Sequence, residues 1–301
     1  MGYNNKLNNA RKSKMDEFFT EYQTIEKELI NYIPFFENKV IYCNCDNYKT
    51  SSFFRFFVDN FEKFKIKKLI CTWIDDKHGG ICEYYGGETH TNILDFNGDF
   101  RSDKLDSILN EADIVVTNPP FSLFRDFINL MNRKNKKFIV LGNLNAIKYK
   151  DIFPFVQNNE LYIGKSIRCG DTEFVVPHEH FDASKTKNYT IDKISGNKLV
   201  KVPSIRWFTN LKFDGYNKSD FVPSKLYDSE LYGTYDDNDD IINCDKVADI
   251  PCDYYGKIGV PINFIDKYDS SKFEIIGLLR APMMNHINKY DRIVLKLVKN
   301  R

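Results

Sequence analysis

The sequence predicts an α/β fold built on a doubly wound, mostly parallel sheet, and three observations carry that expectation. Short apolar runs at residues 40–43, 69–73, 113–117 and 138–141 read as strands buried on both faces. Helical, amphipathic stretches separate them, and strand–helix alternation of this kind belongs to a parallel sheet. After about residue 155 the rhythm changes to short apolar runs between turn-rich segments, which fits antiparallel strands closing the sheet.

In chain order, Thr20 followed by Gln23 fits a capping box, and Ile25, Leu29, Tyr32 and Ile33 continue a helical face. Residues 40–43 form the first strand, and Asp46-Asn47 turns the chain. A helix from Ser51 carries Phe53, Phe57, Phe61 and Phe64 on one side, and residues 69–73 form the next strand. Gly86-Gly87 between two alternating runs marks a hairpin. A helix from about Ser102 leads into the strand at 113–117. Ser122 then offers an N-cap for a helix with Phe124, Phe127, Ile128 and Met131 at i, i+3, i+4 and i+7. Later runs at 173–176, 199–202 and 205–208 read as antiparallel strands.

A chain of 301 residues, 42% hydrophobic, can bury a large core in one domain or two. A net charge of +1 requires any nucleic-acid contact to rest on local positive charge, for which residues 63–68, 133–137 and the tail from Arg292 to Arg301 are candidates. Each is as readily a solvated face. The N-terminus shows no signal-peptide pattern and no run of 18 apolar residues exists, so no membrane span is expected. Seven scattered cysteines fit the reduced thiols of a cytoplasmic protein. Cys43 and Cys45 lack a matching second pair, so no metal is expected. The acidic run 236–240 lacks the Gly and final Glu of a calcium loop. His178-Glu179-His180 is not a helical zinc pattern, and both segments read as surface loops.

The most informative segment is Asn118-Pro119-Pro120-Phe121, directly after the strand at 113–117. Ligands of open α/β sheets bind beyond the carboxyl ends of the strands, where Asn118 falls. Its side-chain carbonyl accepts one hydrogen of an exocyclic amine, and the Pro119 carbonyl accepts another. Pro119 and Pro120 fix φ at two positions and aim that carbonyl. Phe121 offers a ring face to a flat base. Two acceptors on one amine draw its lone pair out of conjugation, which makes the nitrogen a better nucleophile. The plain alternative is a strand-ending turn with a packed Phe.

Together with these residues, several blocks resemble the EcoRI-type DNA adenine-N6 methyltransferases across nearly the whole chain. They are 14–20 (Lys-Met-Asp-Glu-Phe-Phe-Thr), 40–46 (Val-Ile-Tyr-Cys-Asn-Cys-Asp), 98–102 (Gly-Asp-Phe-Arg-Ser), 206–211 (Arg-Trp-Phe-Thr-Asn-Leu) and 259–264 (Gly-Val-Pro-Ile-Asn-Phe). The resemblance implies a class I methyltransferase (Rossmann-like) sheet and S-adenosyl-L-methionine as methyl donor. It implies adenine flipped from double-stranded DNA, Phe19 and Thr20 at the methionine end, Asp99 accepting from the cofactor's adenine amine, and Phe100 packed near that ring. A cap or turn beside Gly98 is the alternative for Asp99. The chain departs from most such sheets in having no Gly-rich loop; Asn44-Cys45-Asp46-Asn47-Tyr48 stands in its place, with Ser51, Ser52 and Phe53 beyond, a substitution the family shares, and Asn44 and Asp46 are its candidate cofactor contacts. Asp75 is the nearest candidate for the ribose hydroxyls, or simply a turn residue.

Residues 1–210 are expected to bind cofactor and transfer the methyl group, and residues 211–301 to recognise the target. The setting implied is a restriction-modification system, with a cognate restriction endonuclease as a partner, or a solitary enzyme working as a monomer. Two rivals stand beside it: a methyltransferase for an RNA adenine or protein glutamine amine, and a catalytically silent DNA-binding protein.

Overall fold

The computed structural model describes residues 20–75, 78–168, 170–176, 189–191 and 198–299. Phe19, His178-Glu179-His180 and Arg301 lie outside them. The chain divides into two compact units, Met1–Asn143 with Gly164–Phe213, and Leu144–Ile163 with Asp214–Arg301. The second unit therefore takes a segment, residues 144–163, from within the stretch 1–210.

The first unit opens with α1 (Tyr22–Leu29) and the short α2 (Ile33–Phe36). The expected capping box does not form: the N-cap position falls at Glu21, with no side-chain cap bond. Inside this layer Glu28 is fully buried. Its carboxylate accepts from Tyr32 Oη at 2.8 Å and from the backbone amides of Lys165 at 2.9 Å and Ser166 at 2.6 Å. Three donors on one carboxylate offset the cost of burying it and fasten 165–166 to α1.

Six strands and three helices then follow, alternating except where the second, third and fourth strands are consecutive. They are β1 (Val40–Cys43), α3 (Ser52–Asp59), β2 (Lys68–Trp73), β3 (Gly80–Tyr84), β4 (Thr89–Ile93), α4 (Asp106–Glu111), β5 (Ile114–Thr117), α5 (Phe124–Arg133) and β6 (Lys137–Asn143). Beyond α6 (Phe153–Gln157) and β7 (Tyr162–Ile163) of the second unit come β8 (Asp171–Val176), β9 (Tyr189–Ile191), β10 (Lys198–Pro203) and β11 (Ile205–Thr209). Within this unit the central sheet runs β4-β3-β2-β1-β5-β6-β11. The β1–β2, β1–β5 and β5–β6 pairs are parallel. The β3–β4 hairpin, turned at Gly86 (φ 83°) and Gly87 (φ 139°), adds antiparallel strands at one edge. The apolar runs of β1 and β5 are buried throughout because helices cover both faces. α3 buries Phe53, Phe54, Phe56 and Phe57, each contributing about 1.5–3 kcal/mol of apolar transfer.

Several expectations change on contact with tertiary structure. Of the three late runs only β11 joins the central sheet, antiparallel to β6; β8, β9 and β10 form a separate antiparallel sheet in the order β8-β10-β9. Ser122 is not the N-cap of α5, because a 3-10 turn over Phe121–Leu123 moves that position to Leu123. α3 ends at Asp59, so Phe61 and Phe64 reach the core from the turns after it rather than from the helix.

The second unit holds a five-stranded sheet in the order β12-β13-β14-β18-β15. Its strands are β12 (Thr234–Tyr235), β13 (Asn238–Asn243), β14 (Lys257–Pro261), β15 (Phe273–Leu279) and β18 (Arg292–Leu297), with a small hairpin of β16 (Met283–Met284) and β17 (Ile287–Asn288). The acidic run 236–240 is thus the turn between β12 and β13 and the start of β13, not an irregular loop. Asp236 accepts from the amides of Asn285 and His286 in the β16–β17 turn, both at 2.8 Å. Of the tail, Arg292–Leu297 form a strand. Arg292 is buried, and its guanidinium reaches Asp245 at 3.0 Å, the Tyr290 carbonyl at 3.0 Å and Asn243 at 3.3 Å. Arg292→Ala is expected to lower stability by about 1–3 kcal/mol, the cost of orphaning buried partners, read as a lower urea midpoint at unchanged m. An unchanged midpoint would mean that these bonds carry no net stability.

No helix among the described residues is long and apolar enough to cross a membrane.

Candidate active site

The chain runs from β1 to β2 on one side, then returns to β5 on the other side of β1. That reversal leaves a crevice at the strands' carboxyl ends, where open α/β sheets bind ligands. A cavity of about 280 Å³ lies there, inside the first unit. From the segment after β1 come Asn44, Cys45, Asp46, Asn47, Thr50 and Ser51, then Ser52 and Phe53 of α3. The end of β2 gives Trp73 and Ile74, and the turn before α4 gives Gly98, Asp99 and Phe100. Thr20 lines it from before α1, with Asn118, Pro120 and Leu123 from the turn after β5.

Seven of the eleven residues expected from the sequence to form the site are therefore gathered around one cavity: Thr20, Asn44, Asp46, Asp99, Phe100, Asn118 and Pro120. Pro119 is buried and does not line the cavity. Phe121 is half-buried beside the cavity and meets Phe174 edge-on, ring centroids 6.2 Å apart. Asp75 is exposed and does not line the cavity; its amide donates to the Asn97 carbonyl at 3.0 Å, a turn contact. Phe19 falls outside the described residues.

Each wall has a local cause. Ser51 caps α3, accepting from the amides of Phe53 at 3.1 Å and Phe54 at 3.2 Å. Asp46 accepts from the hydroxyls of Ser51 and Thr117, both at 2.6 Å. Gly98 has φ 80°, and a Cβ there would lie 2.4 Å from the Trp73 carbonyl, so both backbone angle and space demand glycine. Asp99 beyond it is gripped by Arg101, whose Nη2 donates at 2.6 Å and Nε at 3.0 Å. This paired carboxylate raises the guanidinium's pKa above its ordinary value. The turn alternative and the cavity alternative for Asp99 thus describe one residue: it caps its own turn, accepting from the Arg101 amide at 2.9 Å, and also faces the cavity.

Trp73 was not singled out by sequence, although an aromatic residue closing a buried strand beside the reversal point was a usable signal. Its ring packs on Tyr48 at 5.4 Å and sits over Gly80, where a Cβ would fall 1.9 Å from the indole. Thr50 and Leu123 were missed because nothing in their local pattern separates a cavity wall from core.

Two carboxylates, no basic side chain and three aromatic rings line this cavity. That combination suits a ligand with a flat ring and positive charge. Thr20 Oγ1 is buried in the wall with no protein hydrogen-bond partner, which leaves a polar atom for a ligand to satisfy. These residues fit S-adenosyl-L-methionine, which pairs an adenine ring with a sulfonium and an ammonium group.

The sheet, with its cavity at the β1/β5 reversal and Asn118 and Pro120 in its wall, has the class I methyltransferase, Rossmann-like architecture. The family profile "Adenine-specific methyltransferase EcoRI" matches residues 6–88 and 84–299, and the chain belongs to this family. It is 37% identical over 292 residues to the Type II methyltransferase M.EcoRI of Escherichia coli, covering 91% of this chain and 89% of that one. It is 37% identical over 279 residues to M.MgeORF184P of Mycoplasma genitalium (92% and 87% covered), and 34% over 277 residues to M.MpnI of Mycoplasma pneumoniae (92% and 86%). No solved structure matches the chain.

Proposed function

We propose that this protein transfers a methyl group from S-adenosyl-L-methionine to the N6 amine of an adenine flipped out of duplex DNA, at a specific sequence. The observation that carries this reading is the placement of Asn118 and Pro120 on the same cavity wall system as Asp99, Phe100 and Trp73. The bound cofactor supplies an activated methyl on a good leaving group. The chain's own residues position and desolvate. Asn118 Oδ1 and the Pro119 carbonyl accept the two amine hydrogens, and Phe121 stacks on the extruded base. Asp99, held by Arg101, accepts from the cofactor's adenine amine, while Phe100 and Trp73 pack against its rings. Thr20 takes a polar group at the methionine end, and Asn44 and Asp46 shape the loop beneath it. Asp75 lies too far out on the surface to be the favoured ribose contact. Holding amine and methyl in line makes a bimolecular transfer effectively unimolecular.

Target recognition, expected from the sequence in 211–301, falls in this reading to the second unit, residues 144–163 and 214–301, and the working setting is a restriction-modification system or a solitary modification enzyme in the cytoplasm. With Arg292 committed to internal bonds, the tail candidates for phosphate contact among the described residues narrow to Lys296 and Lys299.

The deciding experiment is methyl transfer from labelled cofactor onto duplex DNA, RNA and protein side by side, with modified-base sequencing of DNA from expressing cells. N6-methyladenine at one recurring motif supports the reading. Label entering only RNA or protein overturns it, and so does tight DNA binding without transfer. Once the motif is known, a duplex with a fluorescent adenine analogue at the target tests Phe121. Phe121→Tyr and Phe121→Trp keep a π face and are expected to retain activity. Phe121→Ala is expected to lose roughly 1–3 kcal/mol of stacking and most of the fluorescence rise. An equal rise in wild type and the Ala variant would reduce Phe121 to packing against Phe174.

A further inference from the structure

Thr117 is the last residue of β5, fully buried, and its side chain does not line the cavity. Its hydroxyl donates to Asp46 Oδ2 at 2.6 Å. The other oxygen of the same carboxylate, Oδ1, accepts from Ser51 Oγ at 2.6 Å, and that Oγ caps α3 by accepting from Phe53 and Phe54. Asp46 is itself seated by its amide, which donates to the Thr72 carbonyl of β2 at 3.0 Å. Asp46, in the segment after β1, thereby joins the end of β5 to the N-terminus of α3 through its carboxylate and holds to β2 through its amide. In most sheets of this kind a Gly-rich loop shapes the segment after the first strand by backbone alone; here a side-chain clasp occupies that segment.

Building on the methyltransferase reading above, we infer that Thr117 is a positioning residue. Through Asp46 it fixes the turn carrying Asn118 to the loop that holds the cofactor. The two halves of the reaction, amine acceptor and methyl donor, stand on different loops, and the described hydrogen bonds join those loops directly through this carboxylate. A buried carboxylate tolerates loss of a donor poorly. Thr117→Val removes only the hydroxyl at nearly constant volume, so the effect falls on the bond rather than on packing. Asn118 then follows a strand end that keeps its backbone pairing to β6 but has lost its tie to Asp46. A displacement of about 1 Å at a reacting group costs up to roughly a hundredfold in rate.

The test compares wild type, Thr117→Val and Thr117→Ser as full-length folded proteins. Single-turnover methyl transfer at saturating cofactor and DNA is expected to fall roughly 10- to 100-fold in the Val variant. The Kd values for S-adenosyl-L-methionine and DNA are expected to stay within about threefold, because Thr117 does not line the cavity and Asp46 keeps its bonds to Ser51 and to the Thr72 carbonyl. Thr117→Ser, which restores the donor, should recover most of the rate. A parallel arm needs no activity: hydrogen–deuterium exchange of the peptide spanning 118–124 in cofactor-free protein should accelerate in the Val variant and not in the Ser variant. The inference is overturned if the Val variant transfers at the wild-type rate, if weaker cofactor or DNA binding accounts for its loss, if Ser does not restore it, or if exchange of 118–124 is unchanged. Absence of transfer by the wild type would instead sink the methyltransferase reading, and the exchange arm would still decide whether Thr117 anchors the turn.

Discussion

Asn118→Ala is expected to slow single-turnover methyl transfer by about a hundredfold or more while leaving cofactor affinity nearly unchanged. The magnitude follows from losing one preorganised polar contact to a reacting group. The selectivity follows from geometry: Asn118 lies on the wall formed by the turn after β5, whereas the aromatic and acidic groups proposed to hold the cofactor come from β2, the turn before α4 and the loop after β1. The loss should therefore appear in the chemical step and not in a titration with S-adenosyl-L-methionine. Transfer at near the wild-type rate would show that the amine is held elsewhere and that Asn-Pro-Pro-Phe is only a strand-ending turn.

The second large effect is expected at Asp99. Asp99→Ala should raise the Kd for S-adenosyl-L-methionine roughly 10- to 100-fold, since a hydrogen bond to a charged group is worth about 1.5–3 kcal/mol. Asp99→Asn keeps an acceptor but gives up the ionic grip of Arg101, so an intermediate loss is expected. Calorimetric titration reads both. At saturating cofactor the transfer rate should change far less than the Kd, because Asp99 touches neither the amine nor the methyl in this reading. An unchanged Kd for both variants would confine Asp99 to its turn, fastened to Arg101 at 2.6 Å and 3.0 Å for local reasons.

The places where sequence reading and structure diverge share a cause. β1, β2, β5 and β6 were legible because a strand buried on both faces must be continuously apolar, and 40–43 and 113–117 are. The hairpin at Gly86-Gly87 was legible because those backbone angles need glycine. Caps were not: Thr20 and Ser122 have the right side chains for N-caps, but packing set the starts of α1 and α5 elsewhere. Arg292 looked like a free cation because its partners, Asn243 and Asp245, are 49 and 47 residues away in sequence. Asp99 looked like a choice between turn and site because sequence shows neighbours in only one dimension.

By itself the sequence determined the alternation of strands and helices, the strand-to-turn transition that places Asn118 at a carboxyl end, and the family blocks that tie the chain to its relatives. These are local or periodic properties, written in hydrophobic spacing and in residues with restricted backbones. Tertiary structure alone decided that Trp73, Thr50 and Leu123 share a cavity with Asn118, that Asp75 stays outside it, that residues 144–163 leave the first unit for the second, and that Asp46 clasps Ser51 and Thr117. Those facts depend on which distant segments meet, and hydrogen bonds between residues five and 71 positions apart on one carboxylate leave no period or motif for a sequence to display.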